Sequence, residues 1–429
     1  PWTETATLPA RATVVYDPAR RRFLAWSKPV GGTRAALHES ADGLRWQPAG
    51  AEWAVFENVN FPFEATASRD PFDRDAARRY KMPLFPYRRG IFGGAGVLAW
   101  SADGRRWTVD RRARWFSRKN GSDTIHPLFF NPVARRWCIV CRPWCADRRV
   151  ALAESADLRR WSEPFVILHP DAGDPPGLQF YGMAPTLYAR DYFVGAVQAC
   201  RPPLHEPFAA PRRYKVQGAV DGQLIYSYDG RLWLRSDRSA LVPRAAPGRP
   251  GGGCVYPHAV IPHPDPRQGI YIYSLGAFAD HGAFADPDAV KGPPPGYAAA
   301  EYALVHRLRR DGFVSLEPAG GSGTVTTRAL IPRRPALALN VQAPVGRVRV
   351  QVADLANRPL PGYRFEDCLP LRGDDLAAPV RWKRKPDLAG LVGQAVRLQI
   401  RLLDARLFAV HADCGLAYAY TVKPLARIP

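Results

Sequence analysis

Long amphipathic helical patterns are missing from this 429-residue chain, and short apolar runs broken by Pro, Gly and Asp take their place. That absence excludes a helical bundle and points to an all-β fold. No apolar run approaches the ~20 residues that a membrane-crossing helix needs, so no membrane partner is expected. Acidic residues are outnumbered, 39 against 60 Lys and Arg, which leaves a net charge of +21. No block of five or more basic residues occurs, however. The arginines fall as scattered pairs, the pattern of a solvated surface, and neither a basic stripe nor a nucleic-acid recognition fold is present. Nucleic acid is therefore not an expected partner, whereas an acidic polysaccharide stays open.

Cysteine is sparse but suggestively placed. Cys138, Cys141 and Cys145 in "CIVCRPWC" have metal-like spacing, yet no second Cys/His pair completes a zinc pattern. The reading is buried free thiols, with no metal and no cofactor. No leader is visible ahead of Pro1. We read this as a leader already removed, and expect a secreted or periplasmic protein.

What is present is a repeat. "ESADGLRW", "SADGRRW", "ESADLRRW" and "YSYDGRLW" end at Trp46, Trp107, Trp161 and Trp233, and a degenerate copy surrounds Asp311 and Gly312. Asp and Gly make a tight turn, and the Trp packs between neighbouring sheets. The spacing suits one four-stranded blade per copy, hence a five-bladed β-propeller. A second device recurs at Asp17-Pro18, Asp70-Pro71, Asn131-Pro132 and Asp265-Pro266, each between two strand-like runs. Asx-Pro initiates a turn, so Asp70 reads as a hairpin residue of the first and second strands.

In a propeller the innermost strands line the axis, and ligands bind where those strands begin. Counting back from each Asx-Pro step gives Arg11, Glu64, Asp123 with Thr124, and His258. The fourth blade lacks the step, but its strand-turn-strand pattern offers Gln179 and Tyr181. His126, Arg142, Asp280 and His281 lie in nearby rim segments. Two carboxylates from adjacent blades meet the requirement of glycoside hydrolysis for an acid and a base or nucleophile. Glu64 and Asp123 are that pair, with Asp280 in reserve. Arg11, His126, Arg142, Gln179, Tyr181, His258 and His281 are candidates for binding the sugar.

After "RRDGFVSLEPAGGSGTVTTRAL" the pattern becomes an alternation of apolar and polar residues with short turns. An antiparallel β-sandwich is expected over 318–429, following a propeller over 1–317. This module reads as structural or as a sugar-binding accessory.

The succession "YDPARRRFLAW…ESADGLRW", "DPFDRDAARRYKM", "FFNPVARRWCIV", "DAGDPPGLQFYGMAPTLY", "PGGGCVYPH" and "FEDCLPLRGDD…VRWK" resembles bacterial secreted proteins. These join a five-bladed propeller, similar to glycoside hydrolase families 32 and 43, to a small C-terminal β-sandwich. The resemblance implies a glycosidase architecture, with Glu64 and Asp123 at the second- and third-blade carboxylate positions. The first blade has no matching Asp, and "FEDC" falls in the second module.

The expectation is thus a glycoside hydrolase acting on a poly- or oligosaccharide, and the positive charge extends it to acidic or sulfated glycans. A non-catalytic carbohydrate-binding propeller is the alternative. A polysaccharide lyase using Tyr181 and His258 is third.

Overall fold

The computed structural model describes residues 2–4, 8–28, 35–53, 65–85, 95–117, 122–143, 147–189, 192–202, 218–235, 237–283 and 293–417. Contacts divide the chain into two compact units. One is Pro1–Pro264 with Ile270–Arg307, and the other is Asp265–Gly269 with Leu308–Pro429. None of the helices among the described residues is long and apolar enough to cross a membrane.

The first unit is a succession of antiparallel four-stranded blades. Blade one is Ala12–Asp17, Arg22–Ser27, Ala35–Ser40 and Gln47–Trp53. Blade two is Ser68–Arg69, Tyr80–Leu84, Ala95–Ser101 and Thr108–Ser117. Blade three is Leu128–Asn131, Arg136–Cys141, Val150–Ser155 and Phe165–Leu168. Blade four is Gln179–Ala189, Tyr192–Arg201, Ala219–Ser227 and Ala240–Val242. Blade five is Cys254–Pro262, Ile270–Ala277 and Glu301–Leu308, completed by Trp2–Glu4, whose Trp2 lies opposite His306.

Apolar clusters fill the gaps between successive blades, as alternation along half-buried strands requires. Trp26, Tyr80 and Met82 join blades one and two. Leu98, Trp115 and Ile139 join two and three. Val140, Phe180 and Phe193 join three and four, and Ala184, Cys200 and Leu275 join four and five. A further cluster of Val14, Phe23, Trp46, Tyr271 and Tyr273 returns blade five to blade one.

The repeated motif explains the end of the blades opposite the strand beginnings. In each copy the Ser hydroxyl lies 3.0–3.1 Å from the Asp carboxylate, as in Ser40–Asp42, Ser101–Asp103, Ser155–Asp157 and Ser227–Asp229. The same carboxylate oxygen accepts the backbone N–H groups two and three residues on, at 2.8–2.9 Å. The residue after the Asp has a left-handed backbone, which Gly43, Gly104 and Gly230 adopt freely. Leu158 holds the same conformation at φ 62°, and its buried side chain joins the packing between blades two and three. The Asx-Pro step is equally regular. Asp17, Asp70, Asn131 and Asp265 each accept the N–H two residues on, at 2.9–3.0 Å.

These turns also tie neighbouring blades together. Trp26 donates to Gly104 O at 2.7 Å, Tyr273 to Gly43 O at 2.9 Å and Asn131 to Asp229 O at 2.7 Å. Tyr80 donates to the fully buried Asp17. Asp70 takes a 2.7 Å bond from Trp137 and sits 2.9 Å from the ammonium of Lys81, which also lies 2.9 Å from Asp73. Asp70 is thus a buried inter-blade turn residue.

In the second unit the long strand Leu330–Ala353 organises an antiparallel module. Its first half pairs with Arg406–Leu416 and its second half with Arg397–Leu403, while Leu371–Pro379 pairs along its middle. Ser322–Thr326 adds to the far side of Arg397–Leu403. Val348, Val350, Val352, Leu398, Ile400 and Trp382 form the enclosed core, and the Trp382 indole donates to Val350 O at 2.9 Å.

The cysteines are buried thiols in this fold. Cys138, Cys141, Cys200, Cys254 and Cys368 are free and buried, and Cys414 is free and half-buried. Cys145 lies outside the described residues.

Candidate active site

The beginning ends of the inner strands of blades three, four and five bring one group of side chains together. Tyr181, the third residue of Gln179–Ala189, is its centre. The strand breaks register between Phe180 and Met183, so Tyr181 and Gly182 form a bulge. Thr124 fixes that bulge by donating to Tyr181 O at 2.6 Å. Only glycine fits at 182, because a Cβ there would run into Thr124 Oγ1. A second bulge, between Pro257 and Ala259, carries His258 in the inner strand of blade five.

The Tyr181 ring is covered by two cations. The Arg142 guanidinium lies 4.7 Å from the ring centroid and that of Arg148 lies 5.5 Å away. Asp123 extends from blade three, 3.4 Å from Arg142, with its side chain 64% exposed. Arg148 donates to Gln179 Oε1 at 2.8 Å. On the other side the His281 ring stands edge-on to Tyr181 at 4.6 Å, and its Nδ1 lies 2.9 Å from the Tyr256 hydroxyl. Paired backbone bonds between His281 and Gly218 hold that loop against blade four.

Electrostatics follow from this packing. Burial pushes the Tyr181 phenol up, and the Asp123 charge adds to the effect. Burial also raises Tyr256 well above the usual tyrosine range. His281 is pushed down to about 4, first by burial and then by the Arg148 charge. Near neutral pH, His281 is therefore an uncharged imidazole hydrogen-bonded to a protonated tyrosine, beside two permanent cations.

The other expected residues are placed as follows. Gln179, Tyr181, Asp123, Arg142 and His281 come together. Asp280 is exposed one residue before His281; burial raises the Cys200 and Cys254 thiols, and the Asp280 charge adds a smaller part. Arg11 is held by Glu301 in two bonds of 2.7 Å. His126 is fully buried. Its Nε2 lies 2.7 Å from Ser122 Oγ, which accepts the Arg142 N–H at 3.1 Å, so it stands behind Arg142. His258 is enclosed, and burial pushes it to about 4. Glu64 lies outside the described residues.

Sequence reasoning missed Arg148 and Tyr256. Arg148 belongs to one of the arginine pairs read as solvated surface, and only the fold shows it over an aromatic ring. It also missed Asp221, which burial pushes upward against the opposing pull of Arg201, 2.6 Å away. Among the described residues no cluster of His, Cys, Asp and Glu could hold a metal ion.

No family model matches the chain, and no curated protein sequence matches it. Solved structures do. A thermostable family-43 glycoside hydrolase has a TM-score of 0.49 at 12% identity, over 73% of this chain and 95% of its own. An endo-arabinase from Bacteroides thetaiotaomicron has a TM-score of 0.45 at 11% identity, over 71% and 96%. An N-acetylgalactosamine deacetylase from F. plautii, crystallised with blood group B trisaccharide, also has a TM-score of 0.45, at 16% identity, over 71% and 91%.

Proposed function

We propose that the protein is a glycoside hydrolase that cleaves an anionic poly- or oligosaccharide at the beginning ends of the inner strands. The observation that carries this reading is the convergence of Asp123, Arg142 and Arg148 from the third blade and His281 from the fifth around the Tyr181 ring of the fourth. A carboxylate and aligned hydrogen-bonding groups supply acid–base or nucleophilic chemistry at a glycosidic bond. Two guanidiniums on an aromatic face form forks that match a carboxylate or sulfate substituent. Asp123 acts with Glu64 as the catalytic carboxylates, with Asp280 as the reserve. Gln179 and His281 bind sugar hydroxyls, while Arg11, His126 and His258 support the rim. A polymeric substrate of this kind fits export to the periplasm or the medium.

The test is release of reducing ends from a panel of uronate-containing, sulfated and neutral glycans. Asp123→Asn and Glu64→Gln should each lower turnover by about 10²–10⁴-fold while the fold is kept. Near-normal turnover in both variants would overturn the assignment, and Asp280→Asn would then be made.

One observation favours a second reading, a polysaccharide lyase. The neutral His281, held by Tyr256 and flanked by arginines, is suited to remove a proton beside a uronate carboxylate that the cations neutralise. Elimination leaves an unsaturated sugar end that absorbs ultraviolet light, whereas hydrolysis does not.

A further inference from the structure

We propose that one face of the second module binds an anionic polysaccharide. The face is formed by Ser322–Thr326, Arg397–Leu403 and the second half of Leu330–Ala353, and it is separate from the site around Tyr181. The proposal rests on the reading that the protein acts on glycans.

The register defines the face. Arg349 lies opposite Arg401, which lies opposite Thr324. In the next row Gln351 lies opposite Gln399, which lies opposite Thr326, and the two amides are bonded at 2.7 Å. The flanking rows carry Arg347 on one side and Arg397 on the other. Directly paired residues share a face, so these side chains lie opposite the core residues Val348, Val350, Leu398 and Ile400. Arg347 and Arg401 are exposed, and Arg349 and Arg397 are half-buried.

Like charges placed directly opposite one another cost a sheet stability. Some other arginines of this module do have carboxylate partners: Arg309 has Asp374, Arg358 has Asp354 and Arg406 has Glu317. Among the described residues no carboxylate pairs with Arg347, Arg349, Arg397 or Arg401. The Nε atoms of Arg349 and Arg397 are buried without a hydrogen-bond acceptor. The Arg401 guanidinium lies over the Phe365 ring, 4.0 Å from its centroid, which holds it by a cation–π contact. The result is a row of four arginines without carboxylate partners, one of them stacked on an aromatic ring, interleaved with amides and hydroxyls.

That combination fits a chain of sugars carrying carboxylate or sulfate groups. The arginines take the anions, while the half-buried Gln399 and the exposed Thr324 and Thr326 take the hydroxyls. Single-stranded nucleic acid fits less well. Its bases need open aromatic platforms, and Phe365 is 6% exposed beneath Arg401.

The test uses the full chain and the combined variant Arg347→Gln, Arg349→Gln and Arg401→Gln. Binding to polygalacturonate and dextran sulfate is measured by titration calorimetry at two salt concentrations, with neutral dextran as control. The wild-type chain should bind both anionic polymers, more weakly at higher salt, and not dextran. The variant should lose about tenfold or more in affinity, with a melting temperature no lower than that of the wild type and unchanged cleavage of short oligosaccharides. Equal affinity in the variant overturns the proposal. So does tighter binding of a single-stranded oligonucleotide that displaces both polymers. Arginine-dependent polymer binding without cleavage of any glycan would leave this face standing and remove the hydrolase reading.

Discussion

The two ends of the blades in the first unit are built on opposite principles. At the turn end, four blades repeat one Ser–Asp arrangement, almost bond for bond, and four Asx side chains make the same local bond. At the other end each blade contributes something different: Asp123 and Arg142 from the third, Tyr181 from the fourth, and His281 from the fifth. Repetition marks where the blades are joined, and its loss marks where a ligand is met. The turn end buries Asp17, Asp70 and Lys81 in closed contacts, whereas the other end leaves Asp123 exposed and two half-buried guanidiniums over the Tyr181 ring.

The sharpest way to break this contrast is Lys81→Met. It leaves the carboxylates of Asp70 and Asp73 without their buried cation, and should destabilise the fold by about 3–5 kcal/mol in chemical denaturation. Cleavage of an identified substrate should persist at temperatures where the variant is folded. A variant as stable as the wild type would show that this network does not hold the blades.

Acid comes next. His258 and His281 are neutral in the fold down to about 4, whereas an unfolded histidine titrates at 6.5. The unfolded chain therefore takes up protons first as pH falls. The stability that these histidines contribute is full above 6.5 and is lost as pH drops through that range to about 4. The loss is of order 3 kcal/mol for the fully enclosed His258. Asp221, pushed upward by burial, works in the opposite sense and blunts the slope. Denaturation midpoints measured across this window check the sign, and a flat profile would contradict it.

Arg142→Gln acts at the other end. It should raise KM for an anionic substrate by about 10–100-fold, or about 1.4–2.7 kcal/mol, with little change in melting temperature. If KM for a neutral glycan rises equally, Arg142 does not read charge. The smallest effect belongs to the repeated turns. Ser101→Ala and Ser227→Ala should each cost about 1 kcal/mol, and the two costs should agree because the bonds are the same. A large difference between them would mean that the copies are not equivalent.

The turn end was legible in the sequence because its chemistry admits few residues. A short carboxylate, a hydroxyl and a left-handed position at fixed offsets leave a visible signature. Even Leu158, where glycine would be expected, is betrayed by the Ser155 and Asp157 around it. The site was legible only in part. Counting back from the turns reached Asp123, and the strand-turn-strand pattern of the fourth blade gave Gln179 and Tyr181. The bulges at Tyr181 and His258 shift strand registers in a way that periodicity cannot show. Arg148 and Tyr256 carry no motif, and their roles arise from packing between residues far apart in the chain. The second module's alternation was readable, but not that one strand, Leu330–Ala353, would pair with Arg406–Leu416 along its first half and Arg397–Leu403 along its second.

The pairing of Trp2–Glu4 with Glu301–Leu308 has a consequence for biogenesis. A ribosome makes the first of these strands long before its partner. At ~5–20 residues per second, the ~300 intervening residues take roughly 15–60 s to synthesise. Blades one to four hold all four of their strands within a contiguous stretch and can form as they emerge. The last blade cannot, and Trp2–Glu4 waits unpaired through that interval. An open strand edge is a template for association with other chains. Late, non-local pairing is also the slow step of β topologies. Yield of the intact chain should therefore be governed by how long this one seam stays open.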